Sequence, residues 1–412
     1  LIKHSKKYAE VYMGFLIALL VILIILVIAF VVWFIAYRQS GKCPLCALQK
    51  IIRPTKTTID TENEEPYANG TAATPPMGWS SWNTFRQNIS EELILSTAKA
   101  MKDSGLLEAG YQYINLDDCW QSSMRDKNGR LQGDLEKFPN GIPRLISQIN
   151  QMGMKVGLYS SNGTLTCEDL PASLGREELD AQTIAEWGCE FFKYDFCHHK
   201  RISGEAPVIE ALEISAPGKK AELTLYPEDA EFSGRARILN IKKLPTGKGI
   251  GLLNHGAGTA TFRPVINAEG DYVLTLLIYK QLTVREQYVQ VIVNGTLYEV
   301  FTPTAKGFTP TGRAQTMIHL KEGANEIVLQ NPVVTPADSS YIQYKRMGSA
   351  LKAATKKVSF EKGTKEKPIL FSICEWGMAF PWHWGSRAGN MWRTTPDISA
   401  KWHSINMIYN HN

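Results

Sequence analysis

Cysteine is sparse in this sequence: its 412 residues contain only seven, an odd number scattered from Cys43 to Cys374. A small domain stapled by disulfides needs an even and denser set, so that class of protein is excluded. Cys43 and Cys46 have the spacing of half a zinc site, but no second pair of that kind follows them. We therefore expect this pair to be ordinary thiols, a lipidation site or a disulfide, and not a metal centre.

A basic surface of the kind that binds nucleic acid is also missing. The chain has a formal net charge of +5, but residues 1–56 hold eight lysines and arginines against Glu10, a charge of +7, which leaves −2 for the rest. These basic residues flank an apolar segment and do not form a patch on a folded domain. The charge distribution predicts no nucleic-acid partner.

That apolar segment, residues 13–37, carries no charged side chain. About 20 apolar residues cross a bilayer as a helix, whereas the apolar core of a cleaved secretory signal has about 7–15. The length therefore predicts a retained single-pass transmembrane helix, with a cleaved signal as the alternative. Lysines and arginines on both sides of the run leave its orientation open.

A dinucleotide-binding fingerprint is absent, since no Gly-X-Gly-X-X-Gly follows the first predicted strand. From residue 76 onward, short apolar strands alternate with helices, a pattern typical of a parallel sheet that is either doubly wound or closed into a barrel. The predicted strands are 77–82, 113–116, 155–160, 191–195 and 369–374, and the predicted helices are 90–104, 142–152, 176–187 and 344–356.

The alternation stops between residues 202 and 340. Apolar residues there recur with a period of two in 272–278, 288–293 and 297–301, and Asn294-Gly295 between two of these runs is a strong hairpin signal. This pattern predicts an all-β unit, a sandwich, inserted into the loop after the fourth α/β strand. Polar side chains gather at the C-terminal ends of the predicted strands, so the insert is expected beside the functional face.

Carboxylates at predicted strand ends are the candidate catalytic groups: Asp117, Asp118, Asp195, Glu375 and Asp397. Retaining cleavage of a glycosidic bond needs two carboxyl groups about 5–5.5 Å apart, one as nucleophile and one as acid and then base. Lys193 lies two residues before Asp195, so both side chains point to the same face of a strand, and the cation would keep the carboxylate ionised. A Lys–Asp pair that only stabilises the sheet is the alternative.

Asp117 and Asp118 are followed by Cys119 and Trp120. Carboxylates accept hydrogen bonds from sugar hydroxyls, and an indole face stacks on the apolar face of a pyranose. The alternatives are a helix cap and a paired-carboxylate metal site. Since no histidine or third acid follows at ligand spacing, we expect no metal, and His198-His199 is interpreted as a pair of loop residues.

Five segments follow one another at predicted strand ends: Thr-Pro-Pro-Met-Gly-Trp-Ser-Ser-Trp-Asn-Thr-Phe at 74–85, Tyr-Ile-Asn-Leu-Asp-Asp-Cys-Trp at 113–120, Lys-Tyr-Asp at 193–195, Cys-Glu-Trp-Gly at 374–377 and Arg-Thr-Thr-Pro-Asp at 393–397. Together they resemble the motifs of the family 27 glycoside hydrolases, the α-galactosidase (melibiase) family. The resemblance covers residues 76–200 and 341–412. It implies an α/β fold, a (β/α)8 TIM-type barrel, and retaining hydrolysis of terminal α-linked galactose.

The resemblance also implies roles for individual residues. Asp195 matches the family's nucleophile and Asp397 its acid/base. Sugar-contacting or neighbouring positions are matched by Trp82, Asp117, Asp118, Tyr159, Lys193, Cys374, Glu375, Trp376 and Arg393. Cys167 and Cys197 match a disulfide, which needs an oxidising compartment, so the catalytic part is expected to be extracellular or luminal. The alternatives to an α-galactosidase are an α-N-acetylgalactosaminidase or related activity, and a non-catalytic glycan-binding surface protein.

The inserted β unit resembles carbohydrate-binding modules of families 6 and 35, on its Tyr-Pro-Glu-Asp-Ala-Glu-Phe-Ser-Gly segment at 226–234. Those modules often hold structural calcium between an opening Glu and a late Asp. The late position here is Ser340, so we expect no calcium and no other cofactor. The expected partners are α-galactoside oligosaccharides, polysaccharides or glycoconjugates, and the membrane.

The predicted organisation has five parts: a tail with the transmembrane helix (1–40), a linker (41–75), the first part of the barrel (76–204), the inserted β-sandwich (205–340) and the barrel continuation (341–412). Only six barrel strands are accounted for by residue 412. An open barrel exposes unpaired strand edges. We therefore expect a C-terminally truncated barrel, a fragment of a longer protein.

Overall fold

The computed structural model describes residues 19–20, 22–24, 26–31, 57–280, 287–302 and 309–412. The chain divides into two compact units, Lys56–Arg393 and a second made of Leu1–Thr55 with Thr394–Asn412. The first unit holds the α/β elements and the antiparallel strands. The described C-terminal part of the second unit ends in one helix, Trp402–His411.

Helices separate the first four strands of the chain. The strands are β1 (Gly78–Ser80), β2 (Tyr113–Asn115), β3 (Lys155–Ser161) and β4 (Phe191–Asp195), and the helices are α1 (Trp82–Phe85), α2 (Glu91–Asp103), α3 (Ile142–Gln151) and α4 (Glu177–Trp187). Each strand pairs in parallel with the next. In helix α2, the Ser90 side chain caps the N-terminus by accepting a hydrogen bond from the Leu93 amide at 3.2 Å, while Ile94, Ala98 and Met101 are buried.

The strands between residues 208 and 330 pair in antiparallel fashion. They are β5 (Val208–Ser215), β6 (Leu223–Leu225), β7 (Glu231–Gly234), β8 (Arg237–Asn240), β9 (Lys248–Gly251), β10 (Gly258–Phe262), β11 (Val265–Ile266), β12 (Gly270–Lys280), β13 (Gln287–Val293), β14 (Thr296–Thr302), β15 (Thr309–Leu320), β16 (Gly323–Ala324) and β17 (Ile327–Gln330). The sheets β15-β12-β5-β9-β8 and β14-β13-β17-β10-β7 share an apolar core that includes Leu212, Leu274, Val291 and Leu329. Two sheets over a common core form a β-sandwich.

The predicted hairpin at Asn294-Gly295 is confirmed. Strands β13 and β14 pair in register from Val293 opposite Thr296 outward. Asn294 has φ 49° and Gly295 has φ 85°, the left-handed conformation that a two-residue type I′ turn needs at both positions. Asparagine and glycine adopt it at low cost, so the turn chemistry of the sequence fixes this register.

The α/β pattern resumes with helix α5 (Pro336–Lys362), strand β18 (Leu370–Ile373), helix α6 (Gly385–Ala388) and strand β19 (Met391–Trp392). Strand β18 pairs in parallel with β4, and β19 with β18. The sheet order β1-β2-β3-β4-β18-β19 has no reversal. A doubly wound sheet reverses its strand order at a switch point, so this curled sheet is TIM-barrel-like, as predicted.

Helix α5 begins at Pro336, before the predicted start at residue 344. A capping box fixes this start: the Thr335 side chain accepts from the Asp338 amide at 3.2 Å, and the Asp338 carboxylate accepts from the Thr335 amide at 2.7 Å. Ser340 therefore lies buried inside helix α5. The position that the resemblance matched to the late calcium ligand thus belongs to this helix and not to one of the antiparallel strands.

Residues 57–69, part of the predicted linker, run along helix α5 and its neighbours. The buried Asp338 carboxylate accepts hydrogen bonds from the Thr58 amide at 2.7 Å and the Thr58 hydroxyl at 2.9 Å. Further along, the Tyr67 amide donates to the Ser386 carbonyl at 2.8 Å. This part of the chain is bound to the α/β elements and does not act as a free spacer.

The two ends of the antiparallel region meet. The Asn331 side-chain amide donates to the Ser203 carbonyl at 3.0 Å, and Ser203 forms a bridge with Gln287 at the start of β13. Next to it, Tyr288 is fully buried in the apolar core of the α/β part, together with Tyr344 of helix α5. The sandwich is thus joined to the parallel sheet through its chain ends and a buried aromatic side chain.

The prediction of a membrane-spanning helix is wrong for the residues that the structure describes. No helix among them is long and apolar enough to cross a bilayer, which needs about 20 residues. Within the run 13–37, residues 19–20, 22–24 and 26–31 are helical, and the others lie outside the described residues. The single-pass membrane localisation and the membrane as partner, both inferred from that run, are corrected with it.

Candidate active site

Polar side chains gather where the parallel strands end. Asp117 follows β2, Tyr159 lies in β3, Lys193 and Asp195 lie in β4, and Cys374 follows β18. Because parallel strands end at the same edge of a sheet, these residues meet at its C-terminal edge. In barrel enzymes this edge carries the active site.

Lys193 lies between two buried carboxylates. Its Nζ is 2.8 Å from Oδ2 of Asp117 and 3.8 Å from Oδ2 of Asp195, and it sits 5.0 Å from the ring centroid of Tyr159. Asp117 is only 6% exposed and Asp195 only 5%. Burial alone lowers the pKa of Lys193, but the negative charges of Asp117 and Asp195 outweigh it and raise the pKa above its ordinary value. Lys193 is therefore a fixed cation that compensates two anions.

The Asp195 carboxylate is held in one orientation. Its Oδ1 accepts hydrogen bonds from the Phe196 amide and from Nε1 of Trp376, both at 2.9 Å. Its backbone carbonyl accepts from the Asn162 amide at 2.8 Å and from the Tyr344 hydroxyl at 3.0 Å. With Oδ1 fixed by two donors, Oδ2 lies beside Lys193.

Asp118 differs from Asp117 although the two are adjacent. Its carboxylate is 1% exposed and accepts from the amides of Cys119 at 2.8 Å and Glu168 at 3.0 Å. Burial raises the pKa of Asp118 to about 6, although these hydrogen bonds act to lower it. Nearby, the Trp120 indole donates to the Tyr159 carbonyl at 2.8 Å, so this tryptophan is a buried brace and not a sugar platform.

A disulfide joins Cys167 and Cys197, as the resemblance implied, with their Cα atoms 5.0 Å apart. It ties the loop after β3 to the loop after β4. The Tyr159 hydroxyl donates to Sγ of Cys167 at 3.2 Å. The bridge therefore holds the loop that supplies the Glu168 amide to Asp118.

The residues after β18 have separate roles. Cys374 is buried, with Nη1 of Arg393 3.7 Å from its Sγ, and burial followed by the nearby Asp195 charge raises the pKa of its thiol. Glu375 is buried, and its Oε2 accepts from the Ala379 amide at 2.5 Å. Through this hydrogen bond Glu375 stabilises the turn that carries Trp376.

Trp82 and Asp397 are the remaining predicted site residues. Trp82 is half-buried at the start of helix α1, with the Arg86 guanidinium 6.0 Å from its ring centroid. Its neighbour Ser81 accepts a hydrogen bond from the Asp117 amide at 3.0 Å. Asp397 belongs to the other unit of the chain, where it is exposed, and its pairing with Asp195 stays a prediction.

Sequence reasoning missed several residues that support the site. Ser81, Asn162 and Tyr344 hold the backbone around Asp117 and Asp195, but their partners are distant in sequence and no motif spacing marks them. His199 is a loop residue, as predicted, and its ring also stacks on Phe196 with centroids 4.1 Å apart. Its position two residues after Cys197, which the resemblance places in a disulfide, was the sequence feature that could have indicated a role near the site.

Within the described parts of the chain, no group of three or more His, Cys, Asp or Glu side chains is arranged to hold a metal ion. In this part of the chain the carboxylates of Asp117 and Asp118 bind different partners. Asp117 accepts a hydrogen bond from Lys193, and Asp118 accepts from backbone amides, so the two do not form a paired-carboxylate site.

The model of the alpha galactosidase A family (Melibiase_2) matches residues 74–215. An α-galactosidase of Coffea arabica is 49% identical over 147 residues, which are 35% of this chain and 39% of that protein. A probable α-galactosidase B of Talaromyces emersonii is 29% identical over 374 residues, which are 89% of this chain and 55% of that protein. The chain spans about half the length, or less, of these curated relatives.

Solved structures include similar chains as well. The α-galactosidase I of Mortierella vinacea is 26% identical, with a TM-score of 0.44 over 80% of this chain and 48% of that one. The MEL1 α-galactosidase of Saccharomyces cerevisiae is 25% identical, with a TM-score of 0.44 over 82% of this chain and 43% of that one.

Proposed function

We propose that the protein is a retaining glycoside hydrolase that releases terminal α-linked galactose from α-galactosides. One observation carries the proposal: the buried Asp195 carboxylate is oriented by Trp376 and the Phe196 amide, and Lys193 lies beside it at the C-terminal edge of a parallel sheet. The sequence similarity to α-galactosidases supports it.

In this mechanism Asp195 attacks the anomeric carbon while Asp397 protonates the leaving oxygen. The glycosidic bond breaks, and galactose remains joined to Asp195 as a covalent ester. Asp397 then removes a proton from water, which attacks the same carbon and displaces Asp195. Lys193 places a positive charge 3.8 Å from the carboxylate oxygen Oδ2 of Asp195.

Other residues of the site would bind the sugar. Asp117 and Asp118 would accept hydrogen bonds from hydroxyls remote from the reacting carbon, and Arg393 would bind the hydroxyl next to it. Tyr159 and Cys374 would line the pocket, and Trp82 and Trp376 would offer apolar faces to the pyranose. Glu375 would act indirectly, through the turn that holds Trp376.

The antiparallel region between β4 and helix α5 would act as a carbohydrate-binding module. It follows the strand that carries Asp195, so a glycan bound to it would be supplied to the same edge of the sheet. Its two-sheet architecture supports this assignment, because sandwiches of this kind are common glycan-binding scaffolds. The expected ligands are α-galactoside oligosaccharides, polysaccharides or glycoconjugates.

The direct test is Asp195→Asn in the full-length protein. We expect turnover of an aryl α-galactoside to fall by a factor of at least about 1000, because the amide cannot act as the nucleophile. Asp103→Asn, exposed on helix α2, is the matched control and should keep wild-type turnover. Turnover of Asp195→Asn near the wild-type rate would sink the proposal, and preference for an aryl α-N-acetylgalactosaminide would redirect it.

A further inference from the structure

His199 has one defined protonation state in this structure. Its Nδ1 lies 3.1 Å from the carbonyl oxygen of Asn162, and a carbonyl can only accept, so Nδ1 carries the proton. The Nε2 atom is buried, and among the described residues it has no hydrogen-bond partner. Burial lowers the pKa of His199 to about 4, because removal from water disfavours the charged ring. The ring is therefore neutral near pH 7.

The ring face of His199 begins a chain of aromatic contacts that ends at Asp195. It stacks on Phe196 with ring centroids 4.1 Å apart and planes inclined by 21°. Phe196 meets Trp376 edge to face at 5.9 Å and 80°. Trp376 donates its indole N–H to Oδ1 of Asp195 at 2.9 Å. Such pairs have preferred geometries, so each ring restricts the next.

The backbone supplies a second connection. Asn162, whose carbonyl accepts from His199, donates its own amide to the Asp195 carbonyl at 2.8 Å. Trp376 adopts φ 57°, a costly conformation for a bulky residue that persists only where surrounding contacts hold it. His199 thus supports two of the donors to Asp195, the amide of Asn162 and the indole of Trp376.

We propose that His199 is a positioning residue that holds Asp195 in its reactive orientation, through the Phe196–Trp376 stack and through Asn162. The inference rests on the proposed function in so far as Asp195 is the nucleophile. It assigns His199 no contact with the sugar, so its loss changes the rate of the chemical step more than substrate binding.

Three substitutions separate the two connections. His199→Phe keeps the stacked ring and loses the hydrogen bond to Asn162, whereas His199→Asn keeps a donor and loses the ring. His199→Ala loses both. We expect kcat for an aryl α-galactoside to fall roughly tenfold in His199→Ala and roughly threefold in each of the others, with KM changed less than about twofold.

A spectroscopic readout tests the same inference without turnover. In protein labelled with ¹⁵N-tryptophan, the Trp376 indole resonance is assigned by its loss in Trp376→Phe. We expect it to move in His199→Ala and to stay near the wild-type position in His199→Phe. The neighbouring His198→Asn is the matched control, because His198 is exposed, pairs with Asp169 at 2.9 Å and has φ 51°, which asparagine tolerates.

The outcomes are distinct. If the wild-type protein shows no turnover but the Trp376 resonance moves in His199→Ala, the proposed function is refuted and the positioning role is kept. His199→Ala with wild-type kcat and an unmoved resonance would overturn the positioning role. A lowered melting temperature with unchanged kcat and resonance would overturn it too, since His199 would then only stabilise the fold.

Discussion

The C-terminal edge of the parallel sheet and the antiparallel sandwich differ in where their ion pairs and apolar side chains lie. At the sheet edge, Asp117, Asp118 and Asp195 are all at most 6% exposed, and each is matched by a cation or by N–H donors. In the sandwich the shared core is apolar, and ion pairs such as Arg263–Glu231 lie on the exposed surface. Both regions belong to the same compact unit.

This difference indicates that the sheet edge serves chemistry, whereas the sandwich core serves stability. Buried charges cost free energy unless they are paired, so a cluster of them is retained where their reactivity is needed. Exposed ion pairs contribute little, and an apolar core contributes most of the stability of a sandwich. Truncation and charge removal should therefore have different effects in the two regions.

Removal of the central cation should have the largest effect. Lys193→Met leaves Asp117 and Asp195 facing each other without compensation, so we expect kcat/KM for an aryl α-galactoside to fall roughly 100-fold or more. Lys248→Met removes a cation from an exposed pair with Glu228 in the sandwich and should leave both kcat/KM and the melting temperature unchanged. An equal loss of kcat/KM in Lys193→Met and Lys248→Met would contradict the difference between the two regions.

Equal truncations in the two cores should affect stability alike and activity differently. Phe262→Ala, in the sandwich core, should cost about 3–5 kcal/mol of unfolding free energy and leave kcat of the folded protein within about twofold. Phe192→Ala, in strand β4 between Tyr194 and Phe371, should cost a similar free energy and also lower kcat, because β4 carries Lys193 and Asp195. Thermal unfolding and turnover of both variants decide this.

The attachment of residues 57–69 should have an intermediate effect. Asp338→Asn weakens several hydrogen bonds to a buried carboxylate, and we expect a loss of about 1–3 kcal/mol at pH 7. Burial alone would raise the pKa of Asp338, but the hydrogen bonds outweigh it and lower the pKa below 3.8. The stabilisation is therefore present above that value and is lost as pH falls through the lowered pKa. Melting temperatures at pH 7 and pH 3 should differ less in the variant.

The smallest expected effect is the pH dependence contributed by Asp118. Its folded-state pKa of about 6 is raised from 3.8, so its stabilising contribution is full below 3.8 and is lost as pH rises through 6. Asp118→Asn cannot ionise, so its melting temperature should gain on the wild type, by a few degrees at most, between pH 5 and pH 7. A gap that does not change with pH would show that Asp118 is not ionising in this range.

Sequence patterns over a few neighbouring residues correctly predicted the parallel strands and the hairpin turn. The parallel strands and the Asn294-Gly295 turn follow from hydrophobic periodicity and from residues that adopt positive φ. The sequence also placed Lys193 and Asp195 on one strand face, because side chains alternate with a period of two.

Contacts between distant residues could not be predicted in this way. Residues 57–69 are polar and lack periodicity, so their sequence predicts a linker. Their partner Asp338 lies about 280 positions later. The long apolar run at 13–37 illustrates the opposite error, since its length alone predicts a membrane span that no helix among the described residues forms. His199 was likewise judged without the rings that pack against it.

The junction between Ser203 and Asn331 bears on how the chain folds. Strand β4 must pair with β18, although the whole sandwich lies between them in sequence. Closing a loop costs more entropy as it lengthens, about 0.6 kcal/mol for each doubling. Once the sandwich has formed, the Asn331–Ser203 contact holds its two ends together, and the effective loop is short. Rapid folding of the sandwich would therefore accelerate closure of the parallel sheet, and a slow-folding sandwich would delay it.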